Sequence, residues 1–441
     1  MNIPQNTPID HQTVTQKIKE SGLEKVGNAS IRELVKLVNE IEKATGEKYV
    51  RMEMGVPGLE PPQIAIDGEI KALKKGVASK YPMIEGVEPL KEEISRFVKN
   101  FMNLDVRKEG CLPTVGSMQG AFATFLVSCR RDPQKDTTLF IDPGFPVQKQ
   151  QHKVLGFKYK TFDVYNFRGD KLKEKLESYL EKGNISTILY SNPNNPSWIC
   201  FTEKELQIIG ELANKYDVVV LEDLAYFGMD FRKDLSQPGK APYQPSVANY
   251  TDNYILLISS SKSFSLAGER IGMMVISDKL FDRKFPKLKE YYPKEIFGYA
   301  MVYGALYTLS SGTNHSAQYG LLEVLQAVND GRYNFIEDVR EYGERAQIMK
   351  KLLTDYGFNI VYDKDEDKPL ADGFYFTFSF PGMDGGELLE HLLYYGISAI
   401  TLDITGSTRT EGLRACVSQI QRDQFKDMEE RLKRFRADHL E

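Results

Sequence analysis

The chain has 441 residues, of which 41% are hydrophobic and 27% charged. This composition is typical of folded globular proteins and lies far from that of disordered, collagen-like or membrane proteins. Fifty-seven Lys and Arg residues against 62 Asp and Glu residues leave a formal net charge of -5, so no positive excess favours nucleic acid or an anionic membrane. We therefore expect a protein that acts on small molecules.

The length leaves room for two or three domains of roughly 150 residues. The longest nearly apolar stretch, 121–129, is less than half of the roughly 20 residues that a membrane helix needs. The amino terminus has neither the basic nor the apolar region of a secretory signal, which favours a cytoplasmic location. Four scattered cysteines and five histidines show no spacing typical of disulfide or metal sites.

The first long element in chain order is an amphipathic helix predicted over 30–46, which we expect to pack with the carboxy-terminal part. Short β-branched runs then alternate with helical patterns, which is typical of βαβ units and a parallel sheet. Thr202 and Glu205 form a capping box that predicts the start of one of these helices. Strands are predicted at 185–190, 217–223, 254–260 and 271–277.

The pattern changes from about Tyr319. Long amphipathic helices are predicted at 320–330 and 335–353, followed by a strand at 374–380. The charged, proline-containing segment 362–370 is predicted to be a solvated loop. The whole chain is thus predicted to be α/β, with a mostly parallel sheet that has helices on both faces, and with a smaller α+β unit.

Polar residues follow the predicted strands where those strands end. The segment SNPNNPSW (191–198) follows the first, Asp223 ends the second with Tyr226 three residues on, and Lys262 and Arg270 lie between the last two. Ligands of open α/β sheets bind beyond the carboxyl ends of the strands. A lysine there can lose its charge by desolvation and form a Schiff base with an aldehyde cofactor. Each residue alone would suit a helix cap, a core aromatic or a solvated cation, but together they favour a site.

These residues resemble those of the class I/II aminotransferase family, the fold type I enzymes that depend on pyridoxal 5'-phosphate (PLP) and include aspartate aminotransferase. The resemblance runs from GVPGLEPP (55–62) to LRACVSQ (413–419). Its most specific element is Ser259-x-x-Lys262 followed eight residues later by Arg270. It implies that Lys262 binds PLP covalently while Arg270 and Ser259 bind the phosphate, a role that suits a bidentate guanidinium.

The resemblance implies further cofactor contacts on the ring. Asp223 and Tyr226 match the family's Asp-x-x-Tyr, in which the carboxylate keeps the pyridine nitrogen protonated and so strengthens the ring as an electron sink. Tyr226 and Asn195 are expected to hydrogen-bond the phenolic oxygen of the cofactor. Phe145 matches the aromatic residue that stacks on the ring.

The phosphate has further expected partners. The loop 115–122 resembles the family's phosphate-binding loop, with Ser117 and Met118 offering backbone N–H groups at a helix start. Tyr81 resembles the tyrosine that reaches the PLP phosphate of the neighbouring subunit. The resemblance therefore implies a homodimer with shared active sites.

Two residues match the family's substrate-binding positions, and one departs from its pattern. Arg414 resembles the arginine that binds the α-carboxylate of the amino acid, and Gly55 the glycine whose backbone faces that carboxylate; Asn195 also borders the substrate. Where the family reads Asn-Pro-Thr-Gly, this chain ends the motif with Trp198, its only tryptophan. That side chain either covers a loop or narrows the substrate pocket.

On this resemblance, residues 50–320 form a large PLP-binding domain, and 1–49 with 321–441 form a small domain. The implied activity is transfer of an amino group between an L-amino acid and a 2-oxo acid, with Lys262 as general base and acid. A PLP-dependent lyase remains an alternative, as does a non-catalytic PLP-binding regulator, although the start of this chain is too short and too weakly basic for a DNA-binding extension. No second arginine can be placed for a dicarboxylate side chain, so the amino acid stays open.

Overall fold

A computed structural model of the chain describes residues 3–440, which fold into two compact units. The larger unit comprises Leu59–Asn194 and Cys200–Val339. The smaller unit comprises residues 3–58, Asn195–Ile199 and residues 340–440. No helix within residues 3–440 is long and apolar enough to cross a membrane.

The two kinds of element are numbered separately in chain order. The strands are β1 (Val50–Arg51), β2 (Cys111–Thr114), β3 (Thr137–Asp142), β4 (Lys158–Asp163), β5 (Ile185–Ser191), β6 (Val219–Leu224), β7 (Tyr254–Ser259), β8 (Gly272–Ile276), β9 (Asn359–Ile360), β10 (Lys364–Asp365), β11 (Lys368–Pro369), β12 (Tyr375–Ser379), β13 (Ile397–Ser398), β14 (Ile400–Thr401) and β15 (Leu413–Cys416). The α-helices are α1 (His11–Glu20), α2 (Ile31–Thr45), α3 (Gln63–Lys74), α4 (Glu88–Met102), α5 (Gly116–Ser128), α6 (Pro146–Leu155), α7 (Asp170–Leu180), α8 (Glu203–Tyr216), α9 (Ser260–Ser263), α10 (Asp278–Asp282), α11 (Phe297–Tyr299), α12 (Tyr307–Ser310), α13 (His315–Asn329), α14 (Phe335–Asp355), α15 (Gly385–Tyr394) and α16 (Phe425–Leu440).

The larger unit is built on a seven-stranded sheet with the order β2-β8-β7-β6-β5-β3-β4. The five strands β7, β6, β5, β3 and β4 are parallel to one another, whereas β8 runs antiparallel to both of its neighbours, β7 and β2. Every strand is fully buried except the edge strand β4, as expected of a sheet covered on its faces. The predicted α/β class with a mostly parallel sheet is confirmed, and the four predicted strands are β5 to β8.

Capping boxes determine where two predicted helices begin. Thr202 Oγ1 accepts a hydrogen bond from the backbone of Glu205, whose carboxylate accepts one from the backbone of Thr202, so α8 begins as predicted. Ser30 and Glu33 form the same arrangement at the start of α2, and Gly46 ends that helix in the left-handed conformation. The helix predicted over 30–46 is therefore confirmed. It belongs to the smaller unit, which also holds the carboxy-terminal residues.

Helix α13 spans residue 320, where the sequence places a domain boundary. The whole helix lies within the larger unit. Its Gln318 accepts a hydrogen bond of 2.8 Å from the backbone N–H of Val87, the residue before α4. Its Ser316 donates one of 2.6 Å to Glu69 of α3. These contacts join α3, α4 and α13 within one unit.

The smaller unit contains a four-stranded antiparallel sheet with the order β14-β15-β12-β9. Its central strand β12 is the strand predicted at 374–380, and Arg414 of β15 lies opposite Thr377. The interpretation of 362–370 as a loop was wrong in part, because β10 and β11 form a short hairpin there. Glu366 turns the chain with a φ of 60°, a conformation that the charge pattern does not indicate.

Candidate functional site

Asp223 lies at the carboxyl end of the central strand β6 and is 6% exposed. Gln148 of α6 donates a hydrogen bond of 2.9 Å from Nε2 to Asp223 Oδ2. The other oxygen, Oδ1, is buried without a hydrogen-bond partner among the described residues. Burial raises the pKa of Asp223 to about 6, because the ionised carboxylate is poorly solvated there despite its hydrogen bond from Gln148. A cationic N–H, such as that of a protonated pyridine, would satisfy this oxygen.

Lys262 lies in α9, the single helical turn that follows β7, and its side chain is half-buried. Hydroxyl groups hold this turn on both sides. Ser259 Oγ accepts a hydrogen bond of 3.2 Å from the backbone of Ser261, and Ser263 Oγ donates one of 3.0 Å to the carbonyl of Phe227. The serine-rich sequence around Lys262 thus fixes the backbone from which the amine projects.

The start of α5 lies beside Arg270. Gly116 has a φ of 63°, and a Cβ on it would lie 2.7 Å from Arg270 Nη2, so the helix start leaves room for the guanidinium. A Cβ on Gly272 would lie 3.2 Å from the backbone nitrogen of Ser117. The hydroxyl of Ser117 is buried without a partner among residues 3–440. Backbone N–H groups of a helix start, a hydroxyl and a guanidinium together fit a dianionic phosphate.

The remaining predicted cofactor residues of the larger unit differ in how far they are exposed. Phe145 is half-buried and is the capping residue of α6. Tyr226 is 4% exposed, and Met118 of α5 accepts a hydrogen bond of 3.0 Å on its carbonyl from Gln151. Tyr81, between α3 and α4, differs from all of these because its side chain is 92% exposed.

In the smaller unit, Arg414 of β15 is 2% exposed. Its Nη2 donates a hydrogen bond of 2.6 Å to the carbonyl of Glu53, and its Nη1 donates one of 3.3 Å to Asn195 Oδ1. The guanidinium also lies 4.5 Å from the ring centroid of Tyr375. These contacts are all to neutral groups, and Nε has no partner among the described residues. A buried guanidinium held in this way is suited to bind a carboxylate.

Gly55 and Trp198 both lie against Tyr375. A Cβ on Gly55 would lie 1.9 Å from the Tyr375 hydroxyl oxygen, so only glycine fits this position. Trp198 is fully buried, with its ring centroid 6.3 Å from that of Tyr375. The structure therefore brings Gly55, Trp198 and Arg414 together around one tyrosine, and Asn195 is hydrogen-bonded to Arg414.

Three of these contact residues were not found from the sequence. Gln148 carries no motif, although its place three residues after Phe145 in the same helix start was a usable signal. Tyr375 was seen only as part of a strand. Glu53 contacts Arg414 through its backbone carbonyl, which no side-chain pattern can reveal.

The chain belongs to the aminotransferase class I and II family, whose sequence pattern matches residues 47–367. Enzymes of this family depend on PLP. The chain is 25% identical over 336 residues to a probable aspartate aminotransferase of Methanocaldococcus jannaschii, covering 72% of this chain and 85% of that protein. It is 26% identical over 330 residues to a glutamate-pyruvate aminotransferase of Escherichia coli, covering 72% and 71%. The family resemblance is thereby confirmed.

Solved structures confirm the fold. The aspartate aminotransferase of Thermotoga maritima superimposes with a TM-score of 0.75 at 20% identity, covering 95% of this chain and 99% of that one. The alanine aminotransferase of Pyrococcus furiosus gives a TM-score of 0.75 at 19% identity with the same two coverages. At these identities the likeness shows the fold and leaves the substrate open.

Proposed function

We propose that this protein is a PLP-dependent aminotransferase that moves an amino group between an L-amino acid and a 2-oxo acid. The observation that carries the proposal is the buried Asp223 carboxylate, with one oxygen lacking a partner and a pKa raised to about 6. Such a group costs stability unless a cationic donor binds to it. The family and the names of the two relatives support the same activity.

In this proposal the following residues would hold PLP. Lys262 would hold the cofactor covalently, and Asp223 would bind its ring nitrogen. Phe145 would cover the ring, and Tyr226 and Asn195 would bind the phenolic oxygen. Ser117, Met118, Ser259 and Arg270 would bind the phosphate. When bound, PLP supplies an electron-accepting ring that stabilises the negative charge left on the substrate Cα after proton loss.

The chain's own groups perform the remaining work. The buried Arg414 guanidinium binds the α-carboxylate of the amino acid, with the Gly55 backbone facing it. Lys262 Nζ removes the Cα proton as general base and returns a proton as general acid. An ionised Asp223 would keep a proton on the ring nitrogen of the bound cofactor.

We further propose that the enzyme is a homodimer in which Tyr81 binds the phosphate in the neighbouring subunit. The 92% exposure of Tyr81 in the single chain supports this role, because a tyrosine so exposed makes little use of its ring within its own subunit. Met83, two residues on, is an apolar side chain that is also 64% exposed, as is common at protein interfaces.

The activity is tested by single-turnover reactions of the PLP-loaded protein with L-aspartate, L-alanine, L-phenylalanine and L-leucine. At least one of them should convert the cofactor to its pyridoxamine form and release the matching 2-oxo acid. If PLP is regenerated in every turnover while the amino acid loses a side-chain group or carbon dioxide, the protein is a lyase instead. PLP binding without conversion by a wide panel of amino acids would overturn the enzyme proposal.

A further inference from the structure

Trp198 has a backbone conformation that favours glycine. Its φ is 63°, in the left-handed region that side chains with a Cβ rarely adopt. The side chain is nevertheless fully buried. Strained residues of this kind persist where the surrounding structure holds them, and they are concentrated at functional sites.

The space for the indole exists because residue 373 is glycine. A Cβ on Gly373 would lie 2.1 Å from Trp198 Cε2, 2.1 Å from Cζ2 and 2.4 Å from Nε1. These distances are far below van der Waals contact, so the methyl group of an alanine and the indole cannot both be present. Trp198 and Gly373 are therefore a matched pair in this chain.

Tyr375 contacts both the Trp198 indole and Arg414. The Trp198 and Tyr375 rings meet edge to face at 68°, and the Arg414 guanidinium lies over the Tyr375 ring. On its hydroxyl side, Tyr375 is confined by Gly55. The tyrosine ring thus contacts an indole, a backbone and a guanidinium, so loss of the indole would remove one of the contacts that hold the ring in place.

The segment that carries Trp198 also contacts Arg414 directly. Asn195, three residues earlier, accepts the hydrogen bond from Arg414 Nη1. Seating of the indole therefore fixes the position of this short segment as well as that of Tyr375. Tyr375 and Asn195 thus both contact the guanidinium of Arg414.

We propose that Trp198, seated against Gly373, is a positioning residue that holds Arg414 through Tyr375 and thereby sets the affinity of the enzyme for the substrate carboxylate. This inference rests on the proposed function, in which Arg414 binds that carboxylate. The α-carboxylate takes no part in the bond changes at Cα, so its contact with Arg414 is expected to be alike in the ground state and the transition state. Loss of the indole should consequently weaken substrate binding more than it slows the chemical step.

The first test is single-turnover kinetics of Trp198→Gly and Trp198→Phe with the amino acid that the wild-type enzyme converts fastest. Trp198→Gly should raise the half-saturating concentration about tenfold and change the limiting rate less than about threefold, with Trp198→Phe in between. Phe358→Leu is the control, because Phe358 is a buried aromatic of the same unit that packs on Phe378, Phe380 and Phe435. An unchanged half-saturating concentration in Trp198→Gly, or an equal rise in the control, would overturn the proposal.

The second test is a double-mutant cycle with Gly373→Ala. Alone, this substitution should displace the indole and raise the half-saturating concentration. Added to Trp198→Gly it should cause no further rise, because the methyl group enters the vacated space. Strictly additive effects of the two substitutions would show that the residues act separately and would contradict the inference.

A third measurement uses the fact that Trp198 is the only tryptophan in the chain. Titration of the PLP-loaded enzyme with the deamino analogue of the amino acid that it converts fastest (succinate for L-aspartate, propionate for L-alanine, 3-phenylpropionate for L-phenylalanine, 4-methylpentanoate for L-leucine) should change the tryptophan emission with the same half-saturation as its inhibition of the reaction. Inhibition by this acid with no change in emission would count against coupling between Arg414 and Trp198. Failure of the wild-type protein to convert any amino acid would instead overturn the proposed function, and the two failures are thus distinguishable.

Discussion

The side-chain amide of Gln148 donates a 2.9 Å hydrogen bond to Asp223 Oδ2 and leaves Oδ1 for a ligand. Because the amide is neutral, it orients the carboxylate without adding a positive charge that would stabilise it by an ion pair. The pKa of Asp223 consequently stays above its ordinary value, at about 6. Under the proposed function, the positive charge that Asp223 lacks would be supplied by the bound cofactor.

Replacement of Gln148 by leucine should weaken PLP binding about tenfold, since a hydrogen bond to a charged group contributes roughly 1.5 kcal/mol or more. Equilibrium titration of the protein with PLP measures this. Gln150→Leu is the matched control, because Gln150 lies on the same helix and is exposed. Equal affinities of the two variants would contradict the role of Gln148.

Asp223→Asn should stabilise the PLP-free protein at pH 8 by about 1–3 kcal/mol while abolishing most of the activity. The folded-state pKa of Asp223 is raised by burial, so its contribution to stability is present below the unfolded-state pKa, near pH 4, and is lost as the pH rises through about 6. Asparagine keeps the shape without the buried charge.

Urea unfolding of the PLP-free wild type and of Asp223→Asn at pH 4 and pH 8 tests whether the substitution raises the free energy of unfolding as expected. The difference between them should be small at pH 4 and should favour the variant at pH 8. Burial also raises the pKa of Asp142 and of Glu222 to about 7, but these groups are common to both proteins. A variant less stable than wild type at pH 8 would refute the argument.

Gly116→Ala should weaken binding of PLP without weakening that of pyridoxal, which lacks the phosphate. The added Cβ would lie 2.7 Å from Arg270 Nη2 and would displace the guanidinium. Gly156→Ala provides the control, because Gly156 also has a positive φ of 70° but faces open space. If both substitutions leave PLP affinity unchanged, the assignment of the phosphate site to the start of α5 is wrong.

Lys262→Ala should still bind PLP but should not transaminate. The phosphate-binding groups and Asp223 are independent of the covalent bond, so affinity is expected to fall without vanishing. Borohydride reduction of the wild-type protein with PLP, followed by peptide mapping, should place the cofactor on Lys262. An adduct on another lysine, or substantial turnover by the variant, would disprove the assigned role.

Mixed dimers test the role of Tyr81. Subunits carrying Lys262→Ala and subunits carrying Tyr81→Ala should each be inactive or nearly so, and activity should reappear when they exchange. A mixed dimer then places both lesions in one site and leaves the other intact. No recovery after verified exchange, or an active monomer by light scattering, would show that the sites are not shared.

The sequence by itself determined the family, the α/β class and the strands that end at Asp223 and before Lys262. These features are local, because buried strands are continuous apolar runs and capping boxes lie within four residues. The Ser259-x-x-Lys262 element was visible for the same reason, because Arg270 follows it after only eight residues.

Only the tertiary structure decided which side chains complete these groups. Gln148 meets Asp223 across 75 positions of sequence, and Arg414 meets Asn195 across 219. The position of the Trp198 side chain depends on the absence of a Cβ at Gly373, which lies two residues before β12 and belongs to no sequence motif. Contacts of this kind are set by strand register and by packing between distant segments, which neither periodicity nor motif spacing records.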